Sequence, residues 1–264
     1  MTAQVITVTS GKGGVGKTTA VANIAVALAS TGKKVVCIDG DIGLRNLDVV
    51  MGLENRIVYD LVDVIEGRCR TRQAMIRDKR LPELFLIPAA QTRDKSAVSP
   101  SDMIRLCTEL REEVDWILID SPAGIERGFR NAVAPADRIL VVTNPEMSAV
   151  RDADRVVGLL EAEEKPAPSL IINRLNISMI KRGDMLSVDD VYDLLRIDVI
   201  GIVPEDENVI VASNRGAPLT LDGKSKAGQA FHNIARRLNG EQVPFIDLEN
   251  RGLWDRLRGL TGRK

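Results

Sequence analysis

Runs of β-branched and aliphatic residues without polar alternation recur along the chain, at 5–9, 34–39, 84–87, 116–120, 138–143, 170–173 and 199–203. A strand that alternates apolar and polar residues has one wet face; an unbroken apolar strand is covered on both, as in a parallel sheet. Between these runs the apolar residues take up helical spacing, most clearly at 18–30, 101–113, 147–162 and 224–238. Strand alternating with helix predicts repeated βαβ units, hence a three-layer α/β/α domain around a mostly parallel sheet. Ligands of such sheets sit beyond the carboxyl ends of the strands. That rule points to 10–19, 39–48, 120–125, 143–146, 173–174 and 204–206.

The alternation stops after Leu238. Residues 240–250, which open Gly240-Glu241-Gln242-Val243-Pro244, read as a linker. They leave 1–239 as one domain and 251–264 as a separate terminal element. In that element Leu253, Leu257 and Leu260 share one helical face with Trp254 beside it, and the other side is basic: Arg251, Arg256, Arg258, Arg263 and Lys264 against Asp255. A short cationic helix with an apolar, Trp-bearing face suits the surface of anionic lipid. As one such helix is a marginal anchor, two on a dimer bind together and let go separately.

Composition narrows the picture. The 36 basic and 37 acidic residues nearly cancel, so no whole-molecule field draws the chain to nucleic acid or membrane and a charged partner must meet a local patch. Cys37, Cys69 and Cys107 are odd in number, far apart and without C-x-x-C spacing, which argues against a disulfide framework or a zinc site and for reduced cytoplasmic thiols. The first nine residues lack a basic region ahead of an apolar run, and no apolar run approaches the roughly 18 residues of a spanning helix. The chain reads as neither secreted nor transmembrane.

The strongest chemical signal is Gly11-Lys12-Gly13-Gly14-Val15-Gly16-Lys17-Thr18, a G-x-x-x-x-G-K-[ST] loop between an expected strand and an expected helix. Its glycines let backbone N–H groups converge on phosphate, and the helix start adds partial positive charge. Lys17 is expected on the β- and γ-phosphates of ATP and the Thr18 hydroxyl on Mg²⁺. Asp120 ends an apolar strand, where such enzymes place the acid that holds the Mg²⁺ shell. Lys12 lies inside the loop, from where its cation cannot easily fold back onto the γ-phosphate, but can reach a nucleotide held by a second subunit.

With Lys12 in place, the run from Lys12 to Thr19 resembles the K-G-G-x-G-K-T-[ST] loop of the deviant Walker-A P-loop ATPases, the MinD/ParA family. The resemblance implies an ATP-dependent homodimer in which Lys12 crosses the interface and supplies in trans the charge of an arginine finger. It also implies that Asp41 orients or activates the attacking water, that Asp39 sits near Mg²⁺, and that adenine is seated near Asn173 and Pro204-Glu205-Asp206. The stretches 41–48, 88–95, 120–126 and 182–186 are similar to the division-site branch of the family, and the likeness runs through the tail. That branch implies a MinC-like inhibitor and a MinE-like stimulator as partners, with Asp152 as a contact. It further implies a cytoplasmic protein peripheral on the inner face of the cell membrane, with no specific nucleic-acid partner.

Two other readings share the loop or its fold. A ParA-like DNA-partitioning ATPase needs a basic patch for the DNA backbone, and the basic excess lies instead in the apolar-striped tail. A reductase like the nitrogenase iron protein needs paired cysteines for an iron–sulfur cluster, which these three positions do not supply.

Overall fold

A computed structural model describes residues 3–248. Its eight strands are β1 (Gln4–Thr9), β2 (Val35–Asp39), β3 (Ile76–Arg77), β4 (Leu84–Ile87), β5 (Trp116–Asp120), β6 (Arg138–Thr143), β7 (Ser169–Leu175) and β8 (Val199–Pro204). They form one sheet in the order β3-β4-β2-β5-β1-β6-β7-β8, parallel throughout except for the short antiparallel β3. β2 and β5 are buried at every residue, the consequence of unbroken apolar runs with layers on both faces.

The helices are α1 (Lys17–Ala29), α2 (Leu47–Met51), α3 (Leu61–Ile65), α4 (Thr71–Ala74), α5 (Pro100–Leu110), α6 (Arg127–Val133), α7 (Met147–Ala162), α8 (Ile177–Arg182), α9 (Val188–Leu195), α10 (Asn208–Asn214) and α11 (Lys226–Leu238). One core joins α1 and α11 to a face of the sheet through Ile24, Leu28, Phe231 and Ile234. On the other face Met103, Leu106 and Leu110 of α5 pack over β2 and β5. Val156 and Leu160 of α7, with Val191 of α9, pack over β6 and β7. α1 is buried nearly all round because α11 covers its outer side.

The expected strands 84–87, 116–120 and 138–143 and the helix 147–162 have the observed bounds. Three of the bounds that moved have an identifiable cause, a capping residue or a bulge. The helix expected at 101–113 starts at Pro100 because Ser99 and Asp102 close a reciprocal capping box. That expected at 224–238 starts at Lys226 because the Ser225 hydroxyl accepts from Gly228 N–H at 2.9 Å. β7 does not end at 173: it runs on through register shifts to Leu175. Asn173 therefore lies within a strand, the penultimate one of the sheet, rather than at that strand's carboxyl end.

The expected linker also differs. As far as Leu248 it is laid on the domain, with Phe245 and Leu248 against the α7–α9 core and Ile246 against the α1–α11 core. Residues 249–264, with Leu253, Trp254, Leu257 and Leu260, lie outside the described residues.

The central β1 has β5 on one side and β6 on the other. The chain leaves β1 toward β2 and later crosses back from β5 to β6. That reversal opens a crevice above the carboxyl end of β1.

Candidate nucleotide site

The crevice is filled by the glycine-rich loop. Gly16 takes the left-handed conformation, φ 94°, that turns the loop into α1, and Ala20 N–H closes the first helical bond to its carbonyl at 2.9 Å. The loop is anchored from three sides. Gly124 N–H, after β5, reaches the Ser10 carbonyl at 3.0 Å. Asn173 Nδ2 donates to the Val15 carbonyl at 2.7 Å from β7. α7 passes so close to Gly11 that a Cβ there would lie 2.1 Å from the Asp152 carbonyl oxygen.

Lys17, buried at the start of α1, places Nζ 3.0 Å from Asp120 Oδ1. An isolated ammonium in such a place is costly, and Asp120 is its counter-charge. Asp120 lies in register with Asp39 on the adjacent strand. Burial, then the neighbouring Asp120 charge, hold the Asp39 carboxyl well above the usual carboxylate range, against the lowering effect of backbone N–H donors. Those donors are Asp41 N–H at 3.0 Å and Leu47 N–H at 3.2 Å, and Asn46 N–H also reaches the carboxyl at 3.2 Å. One buried carboxylate thus gathers the whole 40–47 loop.

This loop carries Asp41, half-buried at its start. Gly43 N–H to the Ala90 carbonyl, 2.9 Å, supports it from the 88–95 stretch. Arg45, in the left-handed region at φ 46°, pairs with the buried Asp48 at 2.9 Å.

Thr18 and Thr19 are half-buried in the first turn of α1, and Gly13 and Gly14 are exposed. Asn23, not singled out in the sequence, ties that turn to another part of the chain. Its Nδ2 donates to the Thr19 carbonyl at 2.8 Å, while its Oδ1 accepts from Thr220 N–H and Oγ at 2.9 and 2.7 Å. Lys12 is exposed and rests its Nζ on Ser148 Oγ of α7 at 3.3 Å. Asp152, on the same helix, is half-buried beside Arg155 at 3.5 Å.

The residues expected around a base are engaged within the protein. Asn173 braces the loop as described. Glu205 accepts from Asn176 Nδ2 at 2.7 Å. Asp206 accepts from Asn208 N–H at 2.9 Å just ahead of α10, and Pro204 ends β8 opposite Leu175. The structure therefore brings together Lys12, Lys17, Thr18, Asp39, Asp41 and Asp120 around the loop, with Asn173 beneath it, and leaves Glu205 and Asp206 beyond the outer strand. No periodicity or motif marks Ser148 or Asn23, because both act on chain more than a hundred residues away.

A doubly wound sheet with this loop over its central strand, and a buried lysine–aspartate pair at the root of the loop, defines a P-loop nucleoside triphosphatase. Residues 6–219 match the model of the CobQ/CobB/MinD/ParA nucleotide binding domain. The septum site-determining protein MinD of Bacillus subtilis is 54% identical over 263 residues, 98% of each chain. Among solved structures, the MinC:MinD cell division protein complex of Aquifex aeolicus superposes with a TM-score of 0.85 at 52% identity, covering 92% of this chain and 98% of that one. The MinD of Pyrococcus horikoshii complexed with Mg-ADP gives a TM-score of 0.81 at 28% identity, covering 90% and 96%.

The chain belongs to this P-loop ATPase family and, within it, to the septum site-determining MinD proteins.

Proposed function

We propose that this chain is an ATP-driven membrane switch that dimerises on ATP, holds a division inhibitor at the membrane, and is reset by hydrolysis. The observation that carries the reading is the P-loop with one lysine buried against Asp120 and the other displayed on its outer side.

In the ligand-free chain Lys17 and Asp120 neutralise each other. The β- and γ-phosphates of ATP, entering among the N–H groups of Gly11, Gly13, Gly14, Val15, Gly16, Lys17, Thr18 and Thr19, compete for the Lys17 ammonium and free the Asp120 carboxylate. Asp120, Asp39 and the Thr18 hydroxyl are hard oxygen donors beside the phosphate position. Two neighbouring carboxylates, one raised by burial and the other's charge, fit a divalent cation. Mg²⁺ bound there supplies charge neutralisation at the phosphate oxygens. Asp41, on a loop pinned by Asp39, orients the attacking water.

Lys12 leaves Ser148 to reach the nucleotide of the other subunit, coupling turnover to dimerisation. Asn173, Pro204, Glu205 and Asp206 lie on the side where adenine is placed in this reading, Asn173 after giving up its bond to the loop.

The Aquifex complex pairs a MinD with MinC, which supports a MinC-like partner here; α7 with Asp152 is the surface proposed for it and for a MinE-like stimulator. Among the described residues no helix is long and apolar enough to cross a membrane. Attachment in this reading is peripheral, through Leu253, Trp254, Leu257 and Leu260, on the cytoplasmic face. Co-sedimentation with anionic vesicles in ATP and in ADP, for the intact chain and one ending at Gly252, tests the proposal. ATP-dependent binding lost on truncation is expected. Binding to duplex DNA in ATP and none to vesicles would replace it with a DNA-partitioning role.

A further inference from the structure

Among the described residues the outermost strand β8 pairs with β7 alone, and its other edge carries no strand. An open edge invites pairing with another chain. Here Arg237, in the last turn of α11, reaches over it. Its Nη1 donates to the Ile200 carbonyl at 2.8 Å, its Nε to the Val243 carbonyl at 2.9 Å and its Nη2 to the Pro244 carbonyl at 2.9 Å. The guanidinium also stacks on the Phe245 ring, 4.2 Å from its centroid.

One side chain thus binds the sheet edge and the returning chain together. The returning segment grips both layers, with Ile246 on one and Phe245 and Leu248 on the other. α11 is itself fixed at this end by Arg138, whose Nη1 donates to the Leu238 carbonyl at 3.0 Å. Ile200 stands near the amino end of β8, and Pro204, toward the nucleotide, stands roughly 13 Å further along the strand.

We propose that Arg237 is a latch that sets how closely the C-terminal lipid-binding segment is tethered to the ATPase domain, and so how strongly the ATP dimer holds a membrane. The inference rests on the reading of 251–264 as the membrane segment. With the latch closed, only Glu249 to Gly252 separate the anchored Leu248 from the apolar stripe that begins at Leu253; with it open, the free chain starts after Leu238, at the end of α11. Four residues become fourteen. By random-coil arithmetic for any chain of those lengths, four residues span about 11 Å and fourteen about 21 Å. The effective concentration of the second tail, once the first is bound, falls as the −3/2 power of length, roughly sixfold.

A single tail on a monomer has no such term, so the latch acts on the ATP state alone. It is a positioning residue, remote from the chemistry.

The test uses full-length chain and vesicles of phosphatidylglycerol and phosphatidylcholine. Arg237→Gln removes charge and fork; Arg237→Lys keeps a cation for the Phe245 ring and loses the fork. For Arg237→Gln, faster hydrogen exchange across 241–248 is expected. Vesicle affinity in ATP should be five- to tenfold weaker, with the weak binding in ADP and the basal ATPase unchanged, and Arg237→Lys should fall between. Should Arg237→Gln not fold, Phe245→Ala is measured in the same way.

Unchanged exchange at 241–248, or faster exchange with ATP-state affinity within twofold of the parent, overturns the latch while leaving the membrane reading standing. If a chain ending at Leu248 binds vesicles as well as the intact one, the membrane reading falls and the latch's role with it.

Discussion

Lys17 and Asp120 stand 3.0 Å apart with little solvent access, and breaking such a pair by removing one partner costs far more than the pair itself contributes. Asp120→Ala should destabilise the ligand-free protein by roughly 3 kcal/mol in urea unfolding. A loss below about 0.5 kcal/mol would mean that Lys17 finds other partners. Lys12 is the contrasting case, exposed on Ser148 and outside any buried network. Lys12→Ala should leave stability and ATP affinity close to the parent's while dimerisation fails and turnover drops at least a hundredfold, as for loss of a charge supplied in trans. Dimerisation by light scattering in ATP checks it, and an unchanged dimer removes the trans role.

Asp39 gives a pH signature. Its carboxyl is raised in the fold, so between the ordinary carboxylate range and the raised one the folded chain holds a proton that the unfolded chain has released. Stability from this group is present at low pH and falls as pH rises through that window. Asp39→Asn lacks the titration. Without nucleotide or Mg²⁺, the melting temperature of the variant relative to the parent should therefore move in the variant's favour from pH 5 to pH 8; movement the other way contradicts the assignment. The placement of both lysines and all three aspartates near the loop was legible in the sequence, because each ends or follows a strand or sits in a motif. The bond from Asn173 to the loop was not, since it joins residues 158 apart and nothing local encodes it.

At the scale of elements, α7 is fitted to the loop by an absence. Gly11 has no side chain where the Asp152 carbonyl passes. Gly11→Ala must push the helix or the loop aside, and ATP affinity should fall at least tenfold by calorimetry with the fold intact by circular dichroism. A second joint lies on the opposite flank. Asp78, buried, holds Arg80 at 2.7 Å, and Arg80 in turn donates to the Met51 and Gly216 carbonyls at 2.7 and 2.8 Å.

Burial alone would raise the Asp78 carboxyl, but the Arg80 side chain and backbone, with Leu81 N–H, outweigh it and hold it below its ordinary range. Its contribution is therefore present above that range and lost as pH falls through the folded value. Asp78→Asn should cost about 2 kcal/mol at pH 7 and less near pH 3, read by denaturant titration at both. The long strands and helices were readable because apolar periodicity accumulates over their length. β3, two residues long, and the single-turn α4 carry no periodicity, and only their neighbours hold them in place.

On the scale of the whole molecule, the sheet separates two jobs. Its carboxyl end gathers the loop, the 40–47 segment and the start of α7; its amino end receives the C-terminal returning segment. The sequence pattern breaks at 240–250, yet Phe245, Ile246 and Leu248 of that stretch pack against the domain. Spacing within so short a stretch cannot distinguish a free tether from a fastened one.

The position of β1 has a consequence in time. Its neighbours in the sheet are β5 and β6, so Val8 waits for Asp120 and Thr9 for Val141, and the brace from Asn173 comes later still. A chain emerging from the ribosome amino end first therefore carries its glycine loop for most of its synthesis with nothing to lean on. Contacts this distant in sequence also slow the search for the native state. Nucleotide should accelerate neither the early collapse nor the first pairing of strands, and should act as a ligand only once the last bracing strand has docked.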